Sequence, residues 1–146
     1  MNSVLISIQP KWCEIIASGQ KTIEVRKTKP KLKTPFKVYI YQTFHRENNG
    51  RTYSDGKVIG EFVCDEIIKA ECGSYCILPY HSTQLDALDL MDYAGEKPVY
   101  GWHISDLVIY EKPKGLGEFK HCGVNYHYNP PITRPPQSWC YAMKGE

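Results

Sequence analysis

The residues best suited to chemistry lie between Gly19 and Arg26, where the 146-residue chain reads Gly-Gln-Lys-Thr-Ile-Glu-Val-Arg. This stretch brings the amine of Lys21, the carboxylate of Glu24 and the guanidinium of Arg26 within six residues. Lysine and arginine contact phosphate groups, and a carboxylate accepts hydrogen bonds from a base edge or orients an arginine. The stretch is therefore a candidate functional site. The alternative is a surface strand with an ordinary Glu24–Arg26 ion pair.

A helix and a strand are expected on the two sides of this stretch. Pro10 suits the first turn of a helix, and apolar residues follow it at helical spacing until Gly19 ends the helix. After the helix, polar and apolar residues alternate, which predicts a half-buried strand. Its polar face would carry Thr22, Glu24 and Arg26, so the helix-to-strand turn positions the candidate site.

The rest of the chain is dominated by strand patterns separated by turn residues. Strands are predicted over 4–8, 36–41, 57–68 with a bulge at Gly60, 100–110 and 138–143. A second helix is predicted over 82–93 with Ser82 or Thr83 as its cap, a long turn over 45–56, and irregular chain over 111–136. This pattern predicts an α+β, mainly β fold, a small barrel or curled sheet with helices on its rim. Residues 1–146 are expected to form a single domain.

Charge is unevenly distributed, although the net charge is only +2. Residues 1–60 carry eleven Lys and Arg against four Asp and Glu, a net +7, whereas residues 61–111 carry two against ten, a net −8. Four of the lysines lie in one loop over 27–33. A basic face of this kind attracts polyanions. The alternative is a solvated lysine loop.

The sequence predicts neither a membrane segment nor a secretory signal. Its longest apolar runs are much shorter than a membrane-spanning helix, and the first apolar stretch has no basic region before it and no cleavage site after it. We therefore expect a cytoplasmic protein with no membrane partner. We also expect it to be a monomer. The six cysteines are expected to be thiols, most of them buried as small hydrophobes.

One group of cysteines and histidines has the residue types of a metal site. Cys72, Cys76 and His81 are separated by three and four residues. Three further candidates come later in the chain: His121, Cys122 and His127. The spacing fits neither a zinc finger nor a zinc ribbon, so we expect free thiols, no metal and no cofactor.

The chain resembles the ASCH domain family, whose members share a PUA-like β-barrel. It carries the family's Gly-x-Lys-x-x-Glu-x-Arg signature at Gly19, Lys21, Glu24 and Arg26. Flanking blocks that look like the phage and prophage branch extend the resemblance over most of the chain, at 6–12, 60–62, 100–105 and 132–139. PUA-like domains commonly bind RNA. The resemblance therefore implies a groove that faces RNA or a modified nucleotide.

An unpaired base in such a groove needs aromatic surfaces on which to stack. The candidate stacking residues are Tyr41, Trp102, His103 and Trp139. Trp12 is expected in the core, because tryptophans of small barrels are more often core than platform. The same consideration leaves Trp102 and Trp139 open between the two roles.

The family resemblance also brings in an amidohydrolase alternative. Some family members remove an acyl group from acetylated cytidine, and in their Lys-Thr-Ile-Thr-Ile-Arg motif the lysine activates the second threonine. This chain has Glu24 at that position, which leaves Thr22 as the substitute nucleophile, and Glu71 is nearest in position to the catalytic acid. Pairing with Glu24 is expected to keep Lys21 protonated. We therefore expect no efficient acetylcytidine hydrolysis.

Two further alternatives concern RNA cleavage and protein binding. Other ASCH proteins are reported as ribonucleases, and here the acid, base and phosphate-stabilising groups would be Lys21, Glu24, Arg26 and His103. We favour a surface hydrogen-bonding role for His103. The protein-binding alternative is a phage interaction module, for which the relevant surface would be the acidic helix with Asp86, Asp89 and Asp92.

Overall fold

A computed structural model describes residues 3–71, 78–123, 126 and 128–145 of the chain. This part folds mainly into strands. In chain order the elements are β1 (Ser3–Ile8), α1 (Pro10–Ala17), β2 (Ile23–Arg26), β3 (Phe36–Gln42), β4 (His45–Arg46), β5 (Thr52–Ser54), β6 (Lys57–Ala70), α2 (Tyr80–Thr83), α3 (Ala87–Ala94), β7 (Val99–Lys114), a 3₁₀ turn (Leu116–Glu118), β8 (Phe119–His121) and β9 (Trp139–Lys144).

Seven of the strands form one mixed sheet in the order β2-β7-β6-β3-β1-β9-β8, and β4 and β5 form a separate hairpin. β1 is parallel to β3, and the connection between them crosses over through α1 and β2. Within the described residues the end strands β2 and β8 do not pair with each other, so the expected barrel is not closed. Both end strands are short, with four residues in β2 and three in β8. The prediction of a mainly β fold is confirmed.

The sheet is covered on both faces, which explains the continuous apolar sequence of β1. All six residues of β1 are buried. Val4, Ile6 and Ile8 pack into one core cluster with α1, whereas Leu5 packs into a second cluster on the opposite face. A third cluster joins β2 to α3. These contacts fix α1 and α3 on the two sides of β2, and therefore around the candidate site.

The predicted helix over 82–93 is two helices, because the chain turns at Gln84 in a left-handed conformation with φ of 61°. The cap of α3 is Asp86 rather than Ser82 or Thr83. Its carboxylate accepts from the Asp89 N–H (2.8 Å), and the Asp89 carboxylate accepts from the Asp86 N–H (3.2 Å). This reciprocal pair satisfies two backbone donors at once and therefore fixes the start of α3.

The long strands β6 and β7 extend further than the sequence pattern indicates. The predicted bulge is present, since the β6–β7 register shifts between Val58 and Gly60. β7 continues to Lys114, and β8 forms inside the segment expected to be irregular. The long turn over 45–56 contains the β4–β5 hairpin. In the described part of the chain, no helix has the length and apolar character required to cross a membrane.

Candidate functional site

Lys21 reaches the site through a tight turn at the end of α1. Gly19 adopts a φ of 86°, a left-handed conformation that suits glycine, and its N–H donates to the Ile16 carbonyl (3.0 Å). Two residues later the Lys21 N–H donates to the Ile15 carbonyl (3.2 Å). The turn folds Lys21 back against α1, and the residue is only 2% exposed.

The Lys21 amine has three neighbours inside the fold. It lies 3.6 Å from Glu24 Oε1, donates to the Thr83 carbonyl oxygen at the end of α2, and lies 4.9 Å from the centre of the Trp12 ring. Burial lowers the pKa of Lys21, and the Glu24 carboxylate opposes this effect without cancelling it. Desolvation is therefore the larger of the two effects on the pKa of Lys21, and the expectation that pairing with Glu24 keeps the amine protonated stays a prediction.

Arg26 holds Glu24 in a fixed orientation. Its Nε and Nη2 donate to Glu24 Oε2 at 3.1 and 2.7 Å. Nη2 also donates to the Ser7 carbonyl (2.8 Å), and Nη1 donates to the carbonyl and hydroxyl oxygens of Ser138 (3.3 and 3.2 Å). These five contacts match in number the five N–H groups of a guanidinium. Through its partners Ser7 and Ser138, Arg26 joins β2 to β1 and to the chain before β9. Arg26 thus positions Glu24, and the expected phosphate contact from Arg26 stays a prediction.

Lys21, Glu24 and Arg26 line one cleft of about 660 Å³. Its walls come from the end of β1, α1, the chain after β2, α3 and the chain before β9. Three basic and two acidic side chains line it, a net +1, and they are Lys21, Arg26, Lys27, Glu24 and Asp89. A cleft of this size accommodates a small ligand or one nucleotide, and its charge favours an anion.

Two aromatic rings line the cleft, and the sequence analysis missed both. Trp12, expected in the core, is half-buried, packs on the core with part of its surface and lies 4.8 Å from the Lys11 amine. Tyr93, expected in the apolar stripe of a helix, is 38% exposed and lies 4.9 Å from the Lys27 amine. For Trp12 the sequence offered one signal, because Lys11 is its neighbour in the chain. For Tyr93 it offered none, because Lys27, whose amine lies near the Tyr93 ring, is distant from it in sequence.

The expected stacking residues have other roles. Trp102 is 0% exposed and packs edge-to-face against Phe36 and Trp139, with ring centres 5.9 Å apart in both cases. Tyr41 is buried in the cluster on the opposite face of the sheet. Both rings are therefore buried by their neighbours, and their role as stacking residues stays a prediction.

Trp139 anchors the lysine loop instead of lining the cleft. Its Nε1 donates to Thr28 Oγ1 (2.9 Å), and the neighbouring Tyr141 hydroxyl accepts from the Lys31 N–H (2.8 Å). Pro30, which belongs to the same loop, is buried. The loop is therefore fixed through its backbone and small residues, while its four lysines are exposed: Lys27, Lys29, Lys31 and Lys33.

The remaining catalytic candidates do not line the cleft. His103 is opposite Ile23 in the β2–β7 register, and Glu24 is opposite Trp102. Because successive residues of a strand alternate faces, His103 lies on the face away from Glu24. Its Nδ1 is 2.7 Å from Asp65 Oδ1 at the surface. Thr22 contributes backbone contacts to Ser82 and Ile104, and Glu71 is an exposed partner of Lys69.

The proposed metal candidates are only partly placed. Cys72, Cys76 and His127 lie outside the described residues. His81 is exposed, and His121 stacks on Tyr126 with ring centres 4.7 Å apart. The residues that the structure describes contain no group of three His, Cys, Asp or Glu able to hold a metal. Cys13 and Cys64 are free and buried, and burial raises the pKa of each thiol to about 12, so neither is a ready nucleophile.

Comparisons with known proteins agree on one family. Residues 6–114 match the model of the ASCH domain family. Crystal structures of an ASCH protein from Zymomonas mobilis share the fold. A Tyr-to-Phe variant of that protein has a TM-score of 0.66 at 20% identity, covering 95% of this chain and 88% of that one. The unsubstituted protein has a TM-score of 0.60 at 20% identity, covering 95% and 86%, and a Ser-to-Ala variant has 0.60 at 19%, covering 95% and 87%. No curated protein matches this chain.

Proposed function

The chain belongs to the ASCH domain family, and from this premise we propose that the cleft around Lys21, Glu24 and Arg26 binds RNA or a modified nucleotide. ASCH domains are commonly proposed to bind RNA. The observation that carries the proposal is the cleft's composition: an oriented, buried carboxylate between two cations, in a cleft lined by two aromatic rings that each have a lysine amine over the ring. The phage and prophage affiliation stays a sequence-based prediction.

Each part of the cleft matches a part of a nucleotide. Arg26 donates to Glu24 Oε2, and the Lys21 amine lies 3.6 Å from Oε1, so the remaining lone pair of Oε1 is the one that would accept a hydrogen bond from the exocyclic amino group of a base. The rings of Trp12 and Tyr93 offer stacking surfaces, and the exposed Lys27 at the rim would meet a phosphate. We therefore expect a preference for bases with an exocyclic amino group.

The proposal is tested by RNA binding as a function of salt, measured by fluorescence anisotropy with a labelled random-sequence RNA octamer. Lys27→Ala should reduce the slope of log affinity against log salt by about 0.7, the value for one phosphate contact to a single strand. Tyr93→Ala should weaken binding by about 1–3 kcal/mol through the loss of one stacked base. Lys112→Ala is the matched control, since Lys112 is exposed and does not line the cleft. If Lys27→Ala and Tyr93→Ala bind like the parent, the cleft is not the RNA site.

A second candidate function is cleavage of the bound RNA, and the position of Lys21 beside Glu24 is the observation that favours it. A buried amine 3.6 Å from a carboxylate is a pair of the kind that transfers protons, and burial lowers the pKa of this amine. Incubating the labelled octamer with the parent and with Lys21→Met, followed by denaturing gel electrophoresis, separates the two functions. Cleavage that is lost in Lys21→Met would favour the ribonuclease, and intact RNA in both would favour binding alone.

A further inference from the structure

A second groove of about 460 Å³ adjoins the cleft. Gln9 and Thr43 line both, so the two form a continuous surface. The border between them is fixed, because the Thr43 N–H donates to the Ile8 carbonyl at 3.0 Å. Beyond the border the groove is lined by Lys11, Phe44, His45 and Glu47, with Pro10 at its side.

The groove repeats an arrangement already present in the cleft. Phe44 is 54% exposed, and the guanidinium carbon of Arg46 lies 5.6 Å from the centre of its ring. In the cleft, Tyr93 is paired with Lys27 and Trp12 with Lys11 in the same way. Three ring-and-cation pairs thus lie on or beside the continuous surface. A single-stranded nucleic acid needs this alternation, since bases stack on rings and the phosphates between them meet cations.

We infer that the ligand is a single strand of at least two nucleotides, one in the cleft and its neighbour in the adjoining groove with its base on Phe44. The inference rests on the proposed function and names its substrate class. Lys11 lies between the two positions and lines the groove, so it meets the phosphate that joins the nucleotides. Phe44 offers a ring face without polar atoms, so the second position tolerates any base. Glu47 also lines the groove, and its carboxylate would repel a phosphate placed next to it.

The test compares competitors against the labelled octamer. The four nucleoside 5′-monophosphates and a pool of the sixteen 5′-phosphorylated dinucleotides are each used to displace the octamer, and the concentrations required are compared. For the parent, the dinucleotides should compete more strongly by about five- to 150-fold, the range for one additional stacked base. Phe44→Ala should remove this advantage, so that the dinucleotides compete no more strongly than the monophosphates, and Phe44→Trp should retain it. Tyr128→Ala is the matched control, since Tyr128 is an exposed ring that lines neither the cleft nor the groove.

The outcomes separate this inference from the proposed function. Equal competition by monophosphates and dinucleotides, or an unchanged dinucleotide advantage in Phe44→Ala, overturns the second position and leaves the cleft proposal intact. If Phe44→Ala weakens competition by the monophosphates and by the dinucleotides to the same extent, the second position is also overturned, because Phe44 would then affect binding in the cleft itself. If the octamer, monophosphates and dinucleotides all fail to bind the parent, the proposed function itself is wrong.

Discussion

Glu24 is the residue on which both the site and its stability depend, because it is 6% exposed and neutralises two neighbouring cations. Removing its charge leaves Lys21 and Arg26 without a counter-charge in a poorly solvated site. Glu24→Gln should therefore lower the free energy of unfolding by about 3–5 kcal/mol, the usual loss when one partner of a buried ion pair is removed. Urea denaturation measures the change.

The matched control for that substitution is Glu71→Gln, because Glu71 is an exposed carboxylate paired with Lys69. Exposed pairs contribute little, so its stability should change by less than about 1 kcal/mol. Equal stability of the two variants would show that the Glu24 carboxylate is not needed to hold the cleft together.

Glu24 also decides the expected reactivity toward acetylcytidine. The amidohydrolase mechanism needs a hydroxyl nucleophile beside the lysine, and Thr22 does not line the cleft. The parent should therefore release acetate from acetylcytidine far more slowly than about one turnover per second, as followed by chromatography. Glu24→Thr is the informative comparison, since it restores a hydroxyl beside Lys21. Turnover by the parent at enzymatic rates would contradict the argument.

At the scale of elements, the bulge at Gly60 determines how β6 lies against β7. A Cβ added at Gly60 collides with the Val108 carbonyl oxygen and approaches Ile109 Cα to 3.2 Å. Because these are backbone atoms of a central strand, they cannot move aside without disturbing the sheet. Gly60→Ala should therefore destabilise the protein by about 1–3 kcal/mol.

Thermal denaturation of Gly60→Ala beside Gly117→Ala checks this expectation. A Cβ added at Gly117 has no atom within 4 Å, so the new methyl group there meets nothing. A Gly60→Ala melting temperature equal to that of Gly117→Ala would mean that the bulge accepts a side chain.

At the scale of the whole molecule, the buried thiols predict a loss of stability in alkali. Burial raises the pKa of Cys13 and Cys64 to about 12 and of Cys140 to about 11, from 9.0. Between pH 9 and these values the unfolded chain has released protons that the folded chain retains. The unfolded state then binds fewer protons, so the free energy of unfolding falls as pH rises. Lys21 acts in the opposite direction, because its pKa is lowered on folding.

Denaturation from pH 8 to 11 under reducing conditions measures this slope. Cys64→Ala should make the fall less steep by up to about 1.4 kcal/mol per pH unit, the contribution of one fully shifted group. Its stability at pH 8 reports the packing loss separately, since the thiol is mostly protonated in both states there. A slope identical to that of the parent would show that Cys64 does not titrate differently in the two states.

The sequence by itself determined the features that depend on local pattern. α1 begins at Pro10 and ends before Gly19, the strand carrying Glu24 and Arg26 follows, and the bulge falls at Gly60, as predicted. Each of these features depends either on residues within one turn of a helix or on the alternation of residues along a strand. Both are determined by residues that are neighbours in the sequence. The unequal distribution of charge is likewise a property of the chain alone.

The tertiary structure decided which of these side chains are available to a ligand. Trp102 and Trp12 have the same chemistry, yet Trp102 is buried against Phe36 and Trp139, whereas Trp12 lies on a helix at the edge of the cleft. Arg26 is fixed against Glu24 in part because Ser138, 112 residues away in sequence, accepts two of its hydrogen bonds. Burial and hydrogen bonding of this kind depend on which distant segments pack together, and no local pattern contains that information.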